Sequence, residues 1–219
     1  MKASIILVTW ANSKSRMDLL KETIESLKKS TDVEYELIVV DNGPIEQTEY
    51  LKTQEIDKHI INSQNKGIGF ARNQGYNVAT GDYVIYIDND LIFAKDWLQE
   101  GIDLLEKYSD KKFVVATCYS YHQAMADKFY VGRYKNTLLW TRGCPAGAIM
   151  KRIDAEKFGK FTVDPMSGTK YGDTITSMGY VFATLLFPKV VHRGIRMSYR
   201  LIDLIYESNW KKVWDFDDK

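Results

Sequence analysis

The chain has 219 residues, a length that suits one domain, with 45% apolar and 27% charged residues, the proportions of a globular protein with a sizeable core. Thirty Lys and Arg against twenty-nine Asp and Glu leave a net charge of +1, which argues against a protein that coats nucleic acid and against a disordered acidic tail. Two cysteines, Cys118 and Cys144, are too few for a disulfide framework and have no histidine at zinc-finger spacing, so both read as reduced, buried small residues.

Residues 4–8 are a short β-branched apolar run, the pattern of a strand buried on both faces. That run is too short for a signal-peptide core, and the longest apolar stretches, 83–87 and 180–187, fall far below a membrane span. The expectation is a cytoplasmic protein whose membrane contact, if any, is peripheral. Residues 9–15 are polar and loop-like. Met17, Leu20, Ile24 and Leu27 then recur at helical spacing, with Ser15 placed to cap and Asp18 completing a capping-box pattern. A second buried strand at 36–40 ends in Asp41, Asn42, Gly43 and Pro44, a strong turn signal. A helix is predicted over 45–52 and a short strand over 59–61. The glycine-containing loop 65–69 leads into a helix through about residue 79, and Gly81 and Asp82 turn the chain into a long buried strand at 83–87.

Strands alternating with helices predict an α/β fold, a mainly parallel sheet flanked by helices on both faces in a single domain. Ligands of such sheets bind beyond the carboxyl ends of the strands. Asp41 and the pair Asp88 and Asp90 both follow strand ends, so distant positions should converge there. In the second half, 97–108 reads as a helix and 113–117 as a strand. Residues 119–141 are aromatic and polar without clean periodicity and read as a long functional loop region. The tail 195–219 combines Leu201, Ile202, Leu204 and Ile205 with Trp210 and Trp214, and reads as a helix packed on the core, with docking on a membrane or partner as the alternative.

Asp88, Asn89 and Asp90 form the most informative tripeptide. Two carboxylates two residues apart at the end of an extended segment can point to one side, where they repel unless a cation lies near them. Hard oxygen ligands of this kind suit Mg2+ or Mn2+, which complete their shell with phosphate oxygens and water. A solvated turn is the alternative for the tripeptide alone.

Three blocks carry a resemblance: Asn65, Lys66, Gly67, Ile68, Gly69, Phe70, Ala71, Arg72 and Asn73; then Ala79, Thr80, Gly81, Asp82 and Tyr83; then Ile87, Asp88, Asn89 and Asp90. In this order and spacing the sequence resembles the family 2 glycosyltransferases of the GT-A fold, over roughly residues 3–194. The resemblance implies a GT-A, Rossmann-like domain over 1–194, with 1–117 binding a sugar nucleotide, 118–194 supplying acceptor contacts and a base, and 195–219 as a tail. It implies that Asp88 and Asp90 hold Mn2+ or Mg2+ bridging a diphosphate, with Asp90 the more direct ligand and Asp88 nearer the ribose or sugar. Asp41 would hydrogen-bond the nucleobase, Thr9 would flank it, and Arg72 would lie near the phosphates or sugar. His192, ending an apolar stretch at 190–192, would complete the metal site, whereas His59 and His122 attract no such role. The base would be Asp173, with Gly172 standing where the family has Glu and Asp164 in reserve. The small residues 143–148 would lie beneath the donor sugar, and Trp140 and Tyr134 would either face a sugar ring or join the core.

The activity implied is transfer of a single sugar from a nucleoside diphosphate sugar, UDP-sugar by default, to a hydroxyl acceptor with inversion. The Gln-x-x-Arg-Trp motif of processive synthases is absent after His192. A sugar nucleotidylyltransferase should carry a glycine-rich loop after its first strand, but residues 9–15 contain no glycine. The loop with Gly67 and Gly69 lacks the third glycine of a dinucleotide fingerprint and follows the third strand, not the first. A non-catalytic sugar-nucleotide binding domain is the remaining alternative. The sequence leaves oligomeric state open.

Overall fold

The computed structural model describes residues 1–31, 33–117, 130–134, 137–141, 143, 145–185 and 189–193. Cys118, Cys144, His122 and the tail 195–219 lie outside the described residues, as do 119–129, 135 and 136 of the expected loop region.

The apolar runs of the first half become strands β1 (Ala3–Thr9), β2 (Tyr35–Asp41), β3 (Lys58–Ile61) and β4 (Tyr83–Asp88). They lie parallel in the order β3-β2-β1-β4 and are connected through α1 (Lys14–Ser30), α2 (Ile45–Lys52) and α3 (Ile68–Val78). Every residue of β1 is buried, which is why its centre, residues 5–8, is continuously apolar rather than alternating. The cap of α1 is Ser13, whose Oγ accepts the Arg16 N–H at 3.4 Å, and not Ser15. The helix begins a turn before its apolar stripe, so Ser15 is already inside it, and Asp18 pairs with Lys14 at 2.9 Å.

β5 (Leu91–Phe93), α4 (Trp97–Lys107) and β6 (Phe113–Ala116) follow. The strands β7 (Tyr130–Tyr134) and β8 (Thr137–Trp140) pair antiparallel, so this part of the expected loop region is sheet. Its register breaks between Tyr130 and Gly132, which spoils the alternation that marks a strand in sequence. β9 (Ala148–Lys151), α5 (Arg152–Phe158), α6 (Ser167–Ser177), β10 (Val181–Leu185) and β11 (Val190–His192) complete the described elements. The main sheet has nine strands in the order β3-β2-β1-β4-β9-β6-β10-β8-β7, and β9 enters it antiparallel between β4 and β6.

Alternate strand residues feed two cores. Ile5, Leu7, Leu37, Val39 and Ile85 meet Leu20, Ile24 and Leu27 of α1 and Leu98, Ile102 and Leu105 of α4. Ile6, Ile38, Val84 and Tyr86 meet Phe158 of α5 and Tyr171 and Ile175 of α6 on the other face. Helices thus cover both faces of one domain. At the amino ends of the strands, Glu36 accepts from the Ser4 hydroxyl at 2.6 Å, the Thr80 N–H at 2.5 Å and hydroxyl at 2.8 Å, and Lys58 Nζ at 2.8 Å. This buried carboxylate ties β1, β2, β3 and the entry to β4, leaving the carboxyl ends free to carry a site.

Candidate active site

β4 ends at Asp88, and Asn89 and Asp90 lead directly into β5. β5 pairs antiparallel with β11, with His192 opposite Leu91, and the Arg193 N–H donates to the Asp90 carbonyl at 2.7 Å. Strand register therefore carries His192 across a hundred residues of sequence to Asp90, whose Oδ1 is 3.0 Å from its Nε2. One ligand atom from each of Asp88, Asp90 and His192 lies within 4.8 Å of the others.

Two acids this close need positive charge around them. Arg72, 2% exposed on α3, places Nη2 2.8 Å from Asp88 Oδ1, and its guanidinium lies 5.2 Å from the Phe161 ring centroid. Burial of His192, the largest single influence, works against its protonation. Contact with Asp90 and the charges of Asp90 and Asp88 outweigh it, and the net pKa is raised above 6.5. Asp90 Oδ1 is buried and receives no well-directed hydrogen bond among the described residues. Two carboxylates, an imidazole and such an oxygen fit a divalent cation of the Mn2+ or Mg2+ type.

Thr9 and Asp41 end the neighbouring strands β1 and β2, and both are buried. Asp41 Oδ1 accepts the Gly43 N–H at 2.9 Å and the Gln47 amide, and its Oδ2 accepts the Thr48 hydroxyl at 2.6 Å. His59 Nε2 lies 3.4 Å from the same oxygen. Thr9 Oγ1 donates to Gln47 Oε1 at 3.2 Å and accepts from Asn89 Nδ2 at 3.1 Å. Thus Thr9, Asp41, Asp88 and Asp90 do share one end of the sheet.

The small-residue segment also reaches this end. Ala146 bridges to Tyr86, and the Gly147 N–H donates to the Tyr86 carbonyl at 2.6 Å, two residues before Asp88. Trp140 is buried in the core, which decides against a sugar-facing role, while the side chain of Tyr134 lies outside the described residues.

α6 points its first turn at Arg72: a Cβ on Gly168 would lie 3.6 Å from Arg72 Nη1. Asp173 is exposed five residues further on, about 7.5 Å along the helix axis and about 140° around it. Gly172 is buried, and a Cβ there would stand 2.9 Å from the Gly143 carbonyl oxygen, so packing of α6 on that segment leaves no room for Glu. Asp164 pairs with Lys170 at 2.7 Å. That hydrogen bond, the largest influence, holds its pKa down.

Gln47 and Thr48 escaped the sequence reading, which names Asn89 only as the middle of the acidic tripeptide and gives His59 no role. Gln47 lies on a short helix whose pattern looks like polar surface, and His59 acquires its neighbour only through the pairing of β2 with β3.

The profile described as Glycosyl transferase family 2 matches residues 4–163. A relative in Haloferax volcanii, named glucosyl-dolichyl phosphate glucuronosyltransferase, is 29% identical over 148 residues, 66% of this chain and 45% of that protein. The uncharacterized glycosyltransferase YfnE of Bacillus subtilis is 36% identical over 106 residues, 47% of this chain and 26% of its own. The chain thus spans less than half the length of either relative. Among solved structures, GalNAc-T7 with UDP, GalNAc and Mn2+ shares the fold with a TM-score of 0.65 at 14% identity, over 96% of this chain and 49% of that one. S. aureus TarS 1–349 does so with a TM-score of 0.64 at 18% identity, over 97% and 68%. A GT-A sheet with acids at the end of β4, in a chain that the profile matches across most of its length, makes this protein a member of glycosyl transferase family 2.

Proposed function

We propose that the protein moves a single sugar from a nucleoside diphosphate sugar, with UDP-sugar as the default donor, to a hydroxyl acceptor, with inversion, without processivity and in dependence on Mn2+ or Mg2+. The observation that carries this reading is the convergence of Asp88, Asp90 and His192 within 4.8 Å at the carboxyl end of the sheet. The Mn2+ and UDP in the GalNAc-T7 structure, and the naming of the Haloferax volcanii relative as a glucuronosyltransferase, support it. Asp90 and His192, with Asp88, would hold the cation, which supplies charge neutralisation for the leaving diphosphate.

The chain's own groups do the rest. Arg72 holds one oxygen of Asp88, so the other is free to face the ribose or sugar. Thr9 and Asp41 frame the nucleoside end. The segment through Ala146 and Gly147 lets the sugar approach the backbone closely. Asp173 takes the acceptor proton as the hydroxyl attacks, an assignment that rests on the resemblance. No helix among the described residues is long and apolar enough to cross a membrane. We place the reaction in the cytoplasm, with any membrane contact peripheral, and keep glycan, lipid-linked sugar and protein as acceptor classes.

The test incubates the protein with a panel of nucleotide sugars, with and without Mn2+, and measures nucleoside diphosphate release. Slow hydrolysis of one donor, lost in Asp90→Ala, is the expected result. Well-folded protein that turns over and binds no donor with any metal overturns the reading.

A further inference from the structure

We infer that Gln47 is the positioning residue of the nucleoside pocket: it seals the Asp41 carboxylate from ligand and fixes the pocket relative to the metal-binding strand end. This rests on the nucleoside diphosphate reading and goes beyond it by removing Asp41 from direct base recognition.

Asp41 is 0% exposed. A carboxylate offers about four acceptor positions. Oδ1 takes Gly43 and Gln47 and Oδ2 takes Thr48, while His59 Nε2, 3.4 Å from Oδ2, makes no hydrogen bond to it; the complete burial of the carboxylate is what keeps a base from donating to it. Gln47 is likewise 0% exposed, and both ends of its amide are committed. Oε1 accepts the Ala11 N–H at 2.5 Å and the Thr9 hydroxyl, while Nε2 donates to Asp41 and to the Thr9 carbonyl at 3.4 Å. Only a side chain that accepts at one atom and donates from the next can do this. A glutamate would set two buried carboxylates against each other, and a leucine would take one partner from each of the Ala11 N–H, the Thr9 hydroxyl, the Thr9 carbonyl and the Asp41 carboxylate.

The connection continues. Thr9 Oγ1 accepts from Asn89, which stands between the two acids of the metal site. Asp41, Gln47, Thr9 and Asn89 therefore form one hydrogen-bonded line across the carboxyl ends of β2, β1 and β4, which are neighbours in the sheet. The strand ends are already joined by the Asn42 N–H donating to the Thr9 carbonyl at 2.9 Å, and the Gln47 amide adds the side-chain link that fixes the loops after β1 and β2 relative to the diphosphate end. Removing that amide should cost affinity for a nucleoside while sparing affinity for a diphosphate alone.

The experiment titrates the whole protein, with Mn2+, against UDP, GDP, CDP, dTDP and inorganic pyrophosphate by calorimetry. It compares wild type with Gln47→Leu and with Gly43→Ala. A Cβ at position 43 would sit 2.3 Å from the Gln47 amide carbon, so the second variant keeps the amide and displaces it, and it reports even where Gln47→Leu does not fold. The tightest nucleoside diphosphate should weaken by about tenfold or more in either folded variant, with pyrophosphate affinity within about twofold of wild type. Unchanged nucleotide affinity overturns the inference, as does an equal loss for nucleotide and pyrophosphate, which a merely structural role would produce. Wild-type protein that binds no nucleoside diphosphate more tightly than pyrophosphate overturns the donor reading itself, and the inference with it.

Discussion

Replacing Glu36 by Gln tests the lock at the end of the sheet opposite the site. Glu36 is 2% exposed, and burial, the largest single influence, works against its ionisation. Hydrogen bonds from Lys58, Ser4 and Thr80 outweigh that effect and hold the carboxyl at about 2, against an ordinary value of 4.5. The gap is worth about 3 kcal/mol at neutral pH, and because Lys58 is a third exposed, solvent screening reduces this to about 2–3 kcal/mol. The folded value lies below the unfolded one, so the stabilisation is complete above pH 4.5 and is lost as pH falls toward 2. Urea denaturation of wild type and Glu36→Gln at pH 7, 4.5 and 3 should show a difference of about 2–3 kcal/mol at pH 7 that narrows below 4.5. A difference that is absent at pH 7, or constant from pH 7 to 3, refutes the reasoning.

Three further outcomes are expected. Gly172→Glu should destabilise by about 1–3 kcal/mol, seen as a lower Tm, because its Cβ meets the Gly143 carbonyl; a Tm equal to wild type contradicts the tight seat of α6. Mn2+ affinity, followed by electron paramagnetic resonance of the free ion, should rise from pH 5.5 to 8 as His192, with its raised pKa, gives up its proton to bind; a flat profile removes His192 from the ligand set. Asp173→Asn should lower kcat by about a hundredfold or more with donor affinity unchanged, and an unchanged kcat moves the base elsewhere.

Much of the fold was legible because β1, β2 and β4 are buried on both faces and therefore carry continuous apolar runs through their centres. Asp88 and Asp90 were legible for a related reason, since polar groups at the end of such a strand stand out. The pairing that delivers His192 was not. β5 and β11 have three residues each, too few for any periodicity, and their meeting depends on long-range register. Gln47 was hidden because a buried amide and an exposed one look alike in sequence, and only the joining of the β1 and β2 ends reveals its partners. Gly172 read as a departure from a family pattern, and its cause, a backbone approach from Gly143, lies in another part of the chain.

The central claim is that Asp88, Asp90 and His192 hold a cation that binds the donor's diphosphate. Calorimetric titration of UDP and the other nucleoside diphosphates into wild type, Asp90→Ala and His192→Ala, with Mn2+ or with a chelator, tests it most directly. The account predicts tight binding of one nucleoside diphosphate to wild type with Mn2+, weakened at least about tenfold by the chelator and by either substitution. Binding that is equally tight in all three proteins with and without the metal would contradict it.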